Sequence, residues 1–199
     1  MKKTIQADIV IIGGGIAGLW LLNRLCRIGF NNTILLESNA LGSGQTLKSQ
    51  GIIHGGLKYS LNGILSNDTN AIADMPEIWR SCLLNNKDAM VNLQAAKKMA
   101  DSQYLFAVNN LTGKISNFFA SKLLKSNVKQ TPSNDLPTLL KYKDYNVYEV
   151  DELILDIKSV ITSLSKKYHE KLIKIDANDI EIITAKDTNY NAAITNNLN

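Results

Sequence analysis

The fold of this chain is decided by one glycine-rich stretch, Gly13-Gly14-Gly15-Ile16-Ala17-Gly18. Residues 5–12 before it are mostly apolar and β-branched, which is typical of a strand buried on both faces of a parallel sheet. Residues 16–28 after it predict a helix that ends at Gly29, with an apolar face formed by Leu19, Leu22, Leu25 and Cys26. The glycines therefore join a predicted strand to the start of a predicted helix.

A second strand is expected shortly after this helix. Residues 33–36 are rich in β-formers, and they end at the acidic Glu37. Strand, helix and strand follow one another within about thirty residues, which is the size of a βαβ unit with a right-handed crossover. The sequence therefore predicts an α/β fold that opens with a Rossmann-like βαβ unit.

The pattern G-x-G-x-x-G has a chemical role when it lies between a strand and a helix. Gly13 permits the tight turn, Gly15 lets the backbone approach a pyrophosphate, and Gly18 allows the helix to pack closely on the strand. The helix then directs its unpaired N–H groups and its positive dipole end at the phosphates. The alternative, in which the glycines form only a tight turn, leaves the register of strand, helix and acid unexplained.

Glu37 is the second feature of a dinucleotide site. It lies 19 positions after Gly18, where a carboxylate can accept hydrogen bonds from both hydroxyls of an adenosine ribose. Its charge would repel a 2′-phosphate, which disfavours NADP. The same βαβ geometry serves FAD and NAD, so these residues leave the choice between those two cofactors open.

Composition excludes several classes of protein. The chain has 199 residues, 45% of them hydrophobic and 20% charged, as in a globular protein with a core. The net charge of +4 is spread along the chain without a dense basic block, so nucleic-acid binding is not expected. Cys26 and Cys82 lack CxxC spacing, and neither a disulfide nor a metal site is expected. Asp8 and the glycines interrupt the first apolar run, so we expect no signal peptide, no transmembrane segment and a cytoplasmic location.

The glycine-rich segment after Glu37 carries a family resemblance. Two stretches, Glu37-Ser38-Asn39-Ala40-Leu41-Gly42-Ser43-Gly44-Gln45-Thr46 and Ser49-Gln50-Gly51-Ile52-Ile53-His54-Gly55-Gly56-Leu57-Lys58-Tyr59, resemble the D-amino-acid-oxidase-like superfamily of FAD-dependent oxidoreductases. The part from Ile53 to Tyr59 is most similar to its glycerol-3-phosphate dehydrogenase and L-2-hydroxyglutarate oxidase branches.

This resemblance implies FAD as the cofactor. It implies that the ADP portion is held by Gly13, Gly14, Gly15, Ile16, Ala17, Gly18 and Glu37. It further implies that the Ser/Gly-rich segment runs beside the ribityl chain and the flavin ring, and the residues expected there are Ser38, Thr46, Ser49, Gln50 and Gly51. The implied activity is oxidation of a C–H bond next to a hydroxyl or an amine of a small molecule, with the electron acceptor left open.

His54 is the candidate catalytic residue. Imidazole titrates near neutrality, so His54 could take a proton from a substrate hydroxyl or amine while hydride leaves the carbon. The alternative, which the crowded glycine loop around it favours, is that His54 only hydrogen-bonds a backbone carbonyl. The other histidine, His169, is expected to be structural or solvated.

The rest of the chain predicts part of an α+β substrate domain. Expected helices cover residues 77–84, 87–99, 116–125 and 154–168; expected strands cover 104–108, 146–150 and 180–183. We expect an FAD region over 1–75, a partial substrate domain over 76–184 that includes the returning helix near 154–168, and a frayed Asn-rich tail over 185–199.

The resemblance also implies a later glycine-containing segment that closes over the flavin, and no glycine follows residue 183. We therefore expect a truncated flavoprotein. Two hypotheses follow: the amino-terminal portion of an FAD-dependent oxidoreductase, or a non-catalytic nucleotide-binding fragment.

Overall fold

The computed structural model describes residues 5–55, 72, 74–107, 128–141, 146–176, 178, 181–183 and 193–195. The chain divides into two compact units: residues 1–49, 90–93 and 161–199 form the first, and residues 50–89 and 94–160 form the second. The predicted helix over 116–125 lies outside the described residues. In chain order the elements are β1 (Ile9–Ile12), α1 (Ile16–Arg27), β2 (Thr33–Glu37), α2 (Met75–Leu84), β3 (Lys98–Ala100), β4 (Gln103–Ala107), β5 (Val128–Gln130), β6 (Asn146–Val150), β7 (Ile154–Leu155), α3 (Ile157–Lys166), β8 (Leu172–Lys174), β9 (Glu181–Ile183) and β10 (Ala193–Thr195).

The first unit contains the predicted βαβ unit. Strands β1 and β2 are parallel, with Ile9 opposite Thr33 and Ile12 opposite Leu36. Strand β8 pairs in parallel with the other side of β2, so the sheet order is β1-β2-β8. The parallel pairing and the α/β class are confirmed. The right-handed crossover remains a prediction.

Helix α1 packs its apolar face into the core of this unit. Leu19, Leu22 and Cys26 are buried as predicted, and a polar residue, Asn23, is buried with them. The Asn23 amide donates to the carbonyl oxygens of Leu19 at 2.9 Å and of Leu164 on α3 at 2.7 Å. Both amide hydrogens therefore have acceptors, which is the condition for burying such a group.

The prediction that the first strand is buried on both faces is wrong. Ile11 is buried, whereas 37% of Val10 and 57% of Ile12 are exposed. The strand is also shorter than predicted, since it begins at Ile9. Among the described residues β1 is an edge strand, because β2 is its sole hydrogen-bonded neighbour there, and only one of its faces is covered.

The second unit is built from antiparallel strands. Strand β6 lies between β4 and β5 in one sheet, and β3 pairs with β7 in another. Residues 51–53 run antiparallel to residues 153–155: Ile53 N–H donates to the Leu153 carbonyl, and Leu155 N–H donates to the Gly51 carbonyl, both at 2.9 Å. The strand predicted over 146–150 is confirmed.

Three expectations for local structure differ from the structure. Residues 87–97 are turns and irregular chain followed by β3, and no part of 87–99 is helical. The helix predicted from residue 154 begins at Ile157, because residues 154–155 form β7 and the Asp156 carboxylate accepts the Lys158 N–H at 3.1 Å. The tail that we expected to fray contributes β10, which pairs with β9.

Candidate functional site

The turn between β1 and α1 depends on two glycines. Gly13 has φ +104°, a conformation that L side chains rarely adopt, and its N–H donates to the Leu36 carbonyl at 2.8 Å. A Cβ on Gly18 would overlap the carbonyl oxygen of Gly13 and would lie 3.4 Å from the Ile11 side chain. The folded chain itself therefore requires glycine at these two positions.

Gly15 differs from both of these residues. Its φ of −75° and ψ of −175° are extended values that any residue adopts. A Cβ here would meet one neighbour within 4 Å, the Thr46 hydroxyl oxygen at 3.3 Å. Neither backbone conformation nor a hard internal clash therefore explains glycine at this position. The space beside Gly15, at the amino terminus of α1, fits a phosphate that approaches the backbone closely.

Thr46 lies at the same helix end. Its Oγ1 accepts a hydrogen bond of 3.0 Å from the N–H of Ile16, the first residue of α1. The first N–H groups of a helix have no partner inside the helix, and Gly15 has no side chain with which to cap them. A hydroxyl that accepts one N–H keeps its own hydrogen for a further acceptor, such as a phosphate oxygen.

The Glu37 carboxylate is held by two backbone N–H groups. Oε2 accepts from Gly14 at 2.5 Å, and Oε1 accepts from Asn39 at 2.7 Å. The pKa of Glu37 is lowered, chiefly by the Asn39 N–H, with further contributions from the N–H groups of Gly14 and Ser38 and from the charge of Lys174, against a partial burial that raises it. The side chain is therefore an acceptor fixed at the end of β2.

These residues fit the ADP half of a dinucleotide. A carboxylate has about four lone-pair sites, so Glu37 retains capacity for two ribose hydroxyls after accepting two N–H groups. The helix end, the opening at Gly15 and the Thr46 hydroxyl suit a pyrophosphate. The structure thus brings together the stretch Gly13–Gly18, Glu37 and Thr46.

The other predicted cofactor residues are placed differently. The Ser38 hydroxyl accepts from the Asn39 side chain at 3.3 Å, and the exposed Ser49 hydroxyl donates to the Thr46 carbonyl at 2.8 Å. Gln50 and Gly51 belong to the second unit. Gly51 has φ +74°, and a Cβ there would overlap the Leu155 carbonyl, so its glycine has a structural cause within that unit.

His54 is bonded to a buried carboxylate. Its Nδ1 lies 3.0 Å from Oε2 of Glu152, which is 2% exposed, whereas 45% of the His54 side chain is exposed. The same carboxylate accepts the Gly55 N–H on Oε1 at 2.7 Å and the Gln103 amide on Oε2. The expected bond from the ring to a backbone carbonyl is therefore not what the structure shows.

Glu152 does not stand out in the sequence because its partners are distant along the chain. His54 and Glu152 are separated by 98 positions. The signal that could have identified it is an acid within an apolar segment, between Val150 and Leu153. Buried carboxylates are rare unless they are paired.

The described part of the chain offers no sign of a metal or membrane site. It contains no cluster of three or more His, Cys, Asp or Glu side chains that could hold a metal ion. Cys26 and Cys82 are both free and buried, and burial raises the pKa of Cys26. None of the described helices is long and apolar enough to cross a membrane.

Comparison with known proteins identifies a family. The model of the DAO family, described as FAD dependent oxidoreductase, matches residues 8–104. A probable FAD-dependent oxidoreductase of Pseudomonas aeruginosa is 42% identical over 175 residues, which cover 87% of this chain and 44% of that protein. The chain thus spans less than half the length of this curated relative.

Solved structures agree in fold. The crystal structure of the Pseudomonas aeruginosa FAD-dependent oxidoreductase matches with a TM-score of 0.69 and 33% identity, over 93% of this chain and 42% of that one. Glycine oxidase from Bacillus cereus matches with a TM-score of 0.66 and 13% identity, over 96% of this chain and 53% of that one. At this identity the second likeness shows the fold alone.

A shorter match concerns an enzyme named for a hydroxyl substrate. The anaerobic glycerol-3-phosphate dehydrogenase of Haemophilus influenzae has one polypeptide that is 34% identical over 60 residues, which are 30% of this chain and 10% of that protein. Together with the glycine turn and the acid at the end of β2, these matches give the family and its cofactor, FAD. The chain belongs to the DAO family of FAD-dependent oxidoreductases.

Proposed function

We propose that this chain supplies the FAD-binding part of an oxidoreductase that oxidises a C–H bond next to a hydroxyl or an amine of a small molecule. The backbone from Gly13 to Gly18 binds the pyrophosphate, Glu37 accepts the hydroxyls of the adenosine ribose, and the Thr46 hydroxyl donates to a phosphate oxygen. Ser38, Ser49, Gln50 and Gly51 remain candidates for contacts with the rest of the cofactor. When bound, FAD supplies the acceptor for the hydride.

The observation that carries this proposal is the environment of Gly15. A glycine whose conformation is ordinary and whose side-chain direction is nearly open has no evident internal cause. Close approach of a ligand to the backbone supplies one, because any Cβ would occupy the space needed by the pyrophosphate.

A pair of glycine variants tests the proposal. Gly15→Val should weaken FAD binding at least about tenfold, which corresponds to about 1.4 kcal/mol. Gly44→Val is the matched control, since a Cβ at Gly44 would meet nothing within 4 Å and its φ is not positive. FAD affinity is measured by quenching of flavin fluorescence, and thermal unfolding without FAD checks the fold. Equal affinity in Gly15→Val and Gly44→Val would contradict the proposal.

The substrate class remains divided between hydroxyl and amine. The glycine oxidase matched above is named for an amine, and the glycerol-3-phosphate dehydrogenase is named for a hydroxyl compound. Anaerobic bleaching of the bound flavin by a panel of small hydroxy acids and amines decides between them. The proposed activity fails if FAD binds but no compound of either class reduces it. A cytoplasmic location is also proposed, and cell fractionation tests it.

His54 is the candidate catalytic base within this proposal. Its support is a side chain that is partly exposed while one ring nitrogen is bonded to a buried acid. Its proposed role is to accept the proton from the hydroxyl or amine of the substrate.

A further inference from the structure

Glu152 is surrounded by hydrogen-bond donors. The Gly55 backbone N–H donates to Oε1, and the Gln103 amide donates to Oε2, the oxygen that also faces His54. The carboxylate is almost completely buried, and it lies directly after β6, next to the segment that carries His54. A buried carboxylate needs such partners, and all of them are supplied by the second unit of the chain.

The contact determines which nitrogen of His54 carries the proton. An ionised carboxylate only accepts hydrogen bonds, so Nδ1 must be the donor in a bond of 3.0 Å to Oε2. In a neutral imidazole the other nitrogen, Nε2, then holds a lone pair. Within the described part of the chain, no hydrogen bond to Nε2 is found.

We propose that Glu152 is a positioning residue that holds His54 in the tautomer with its proton on Nδ1, so that Nε2 is ready to accept a proton from the substrate. This inference rests on the proposed function of His54 as the base. In the proton transfer, the substrate O–H or N–H bond breaks and an N–H bond forms at Nε2. The imidazolium that results is balanced by the Glu152 carboxylate.

Replacement of Glu152 by glutamine makes a specific prediction. A Gln side chain has one accepting oxygen, and the Gly55 N–H always requires an acceptor. The new amide nitrogen therefore faces Nδ1 of His54 and donates to it. Gln103 can adapt by turning its own amide. We expect Glu152→Gln to move the His54 proton from Nδ1 to Nε2.

Nuclear magnetic resonance of ¹⁵N-labelled histidine measures this without any cofactor. The chain has two histidines, and His169→Asn removes the signal of the other, exposed one. Spectra are recorded at about pH 8, above the ordinary histidine pKa of about 6.5. We expect the Nδ1–H tautomer in His169→Asn and the Nε2–H tautomer once Glu152→Gln is added. Asp151→Asn is the matched control, because this neighbouring acid pairs with Arg80 and is half-exposed.

Two results would overturn the positioning role. The first is a proton on Nε2 in the protein that retains Glu152, which is decisive even if Glu152→Gln does not fold. The second is a Glu152→Gln protein that is folded by its thermal transition but has the unchanged tautomer. A changed tautomer in Asp151→Asn would also count against it, because the effect would then not be specific to Glu152.

Turnover separates this inference from the function on which it rests. In the flavin-loaded protein, His54→Asn and Glu152→Gln should each lower kcat about 100-fold or more, with an unchanged Kd for FAD. If His54→Asn leaves kcat unchanged while the tautomer result holds, then His54 is not the base and the catalytic part of the inference is wrong. If FAD does not bind, the proposed function fails, although the tautomer measurement stands.

Discussion

The Oε2 atom of Glu37, at the end of β2, lies 2.5 Å from the backbone nitrogen of Gly14 in the turn before α1. This bond joins the acid to the glycine turn across 23 positions of sequence. The Asn39 N–H holds the other carboxylate oxygen. The side chain expected to bind the ribose is therefore oriented before a ligand arrives, which reduces the ordering cost of binding.

The lowered pKa of Glu37 predicts a dependence of stability on pH. Because the pKa is lower in the folded state than in the unfolded state, the carboxylate stabilises the fold above its ordinary pKa. That contribution is lost as the pH falls from the ordinary value through the lowered one. Urea denaturation of the wild type at a series of acidic pH values should show this loss, and Glu37→Gln should lack it.

Glu77→Gln is the control for the pH experiment. Glu77 is an exposed acid on α2, and its side chain is 80% exposed. This variant should retain the wild-type difference in stability between neutral and acidic pH. If Glu37→Gln and Glu77→Gln have the same pH profile, the hydrogen bonds to Glu37 do not carry the effect.

Thr46 should stabilise α1 as a cap supplied from a distant part of the chain. Thr46→Val keeps the shape but removes the acceptor of the Ile16 N–H, and loss of such a cap costs about 1 kcal/mol. Thr46→Ser keeps the hydroxyl and should retain most of that stability. Chemical denaturation without FAD measures both. Equal stability of the two variants would show that the cap contributes nothing.

Asn23 should be sensitive to charge more than to size. Its amide donates to two carbonyl oxygens, and Asn23→Ala would leave those acceptors without their donor at a cost of about 1–3 kcal/mol. Asn23→Asp would place a buried carboxylate against the same two carbonyls, so we expect a larger loss of stability. Denaturation midpoints rank the variants. An Asn23→Asp protein more stable than Asn23→Ala would contradict the assigned bonds.

The βαβ unit could be predicted because its signals are local. The glycine turn, the helical spacing from Leu19 to Cys26 and the glycine at the helix end all act within a few residues. Gly29 indeed has φ +105° directly after Ile28, the residue that caps α1. The exposure of Val10 and Ile12 could not be predicted, because an apolar strand sequence does not show whether the strand is central or at an edge.

The failure over residues 87–99 has a different cause. Good helix formers such as Ala, Lys and Met dominate this segment, but their propensity is a weak signal. The structure buries Ala89, Val91 and Leu93, whereas Met90 and Asn92 are exposed. Burial with a period of two is the pattern of extended chain, and tertiary contacts decided it.

The contact between His54 and Glu152 could not be predicted from the sequence for a third reason. It joins residues that are far apart along the chain, and each lies beside local patterns that fit a loop or a strand end. Pairing of residues 51–53 with residues 153–155 creates the contact.

The most direct test of the proposed cofactor site is calorimetric titration of the chain with FAD, ADP and FMN. Gly13–Gly18 and Glu37 are assigned to the ADP half, so ADP and FAD should bind competitively at one site. FMN, which lacks the adenosine portion, should bind far more weakly. If FMN binds as tightly as FAD, or if ADP fails to compete with FAD, the assignment of this site is wrong.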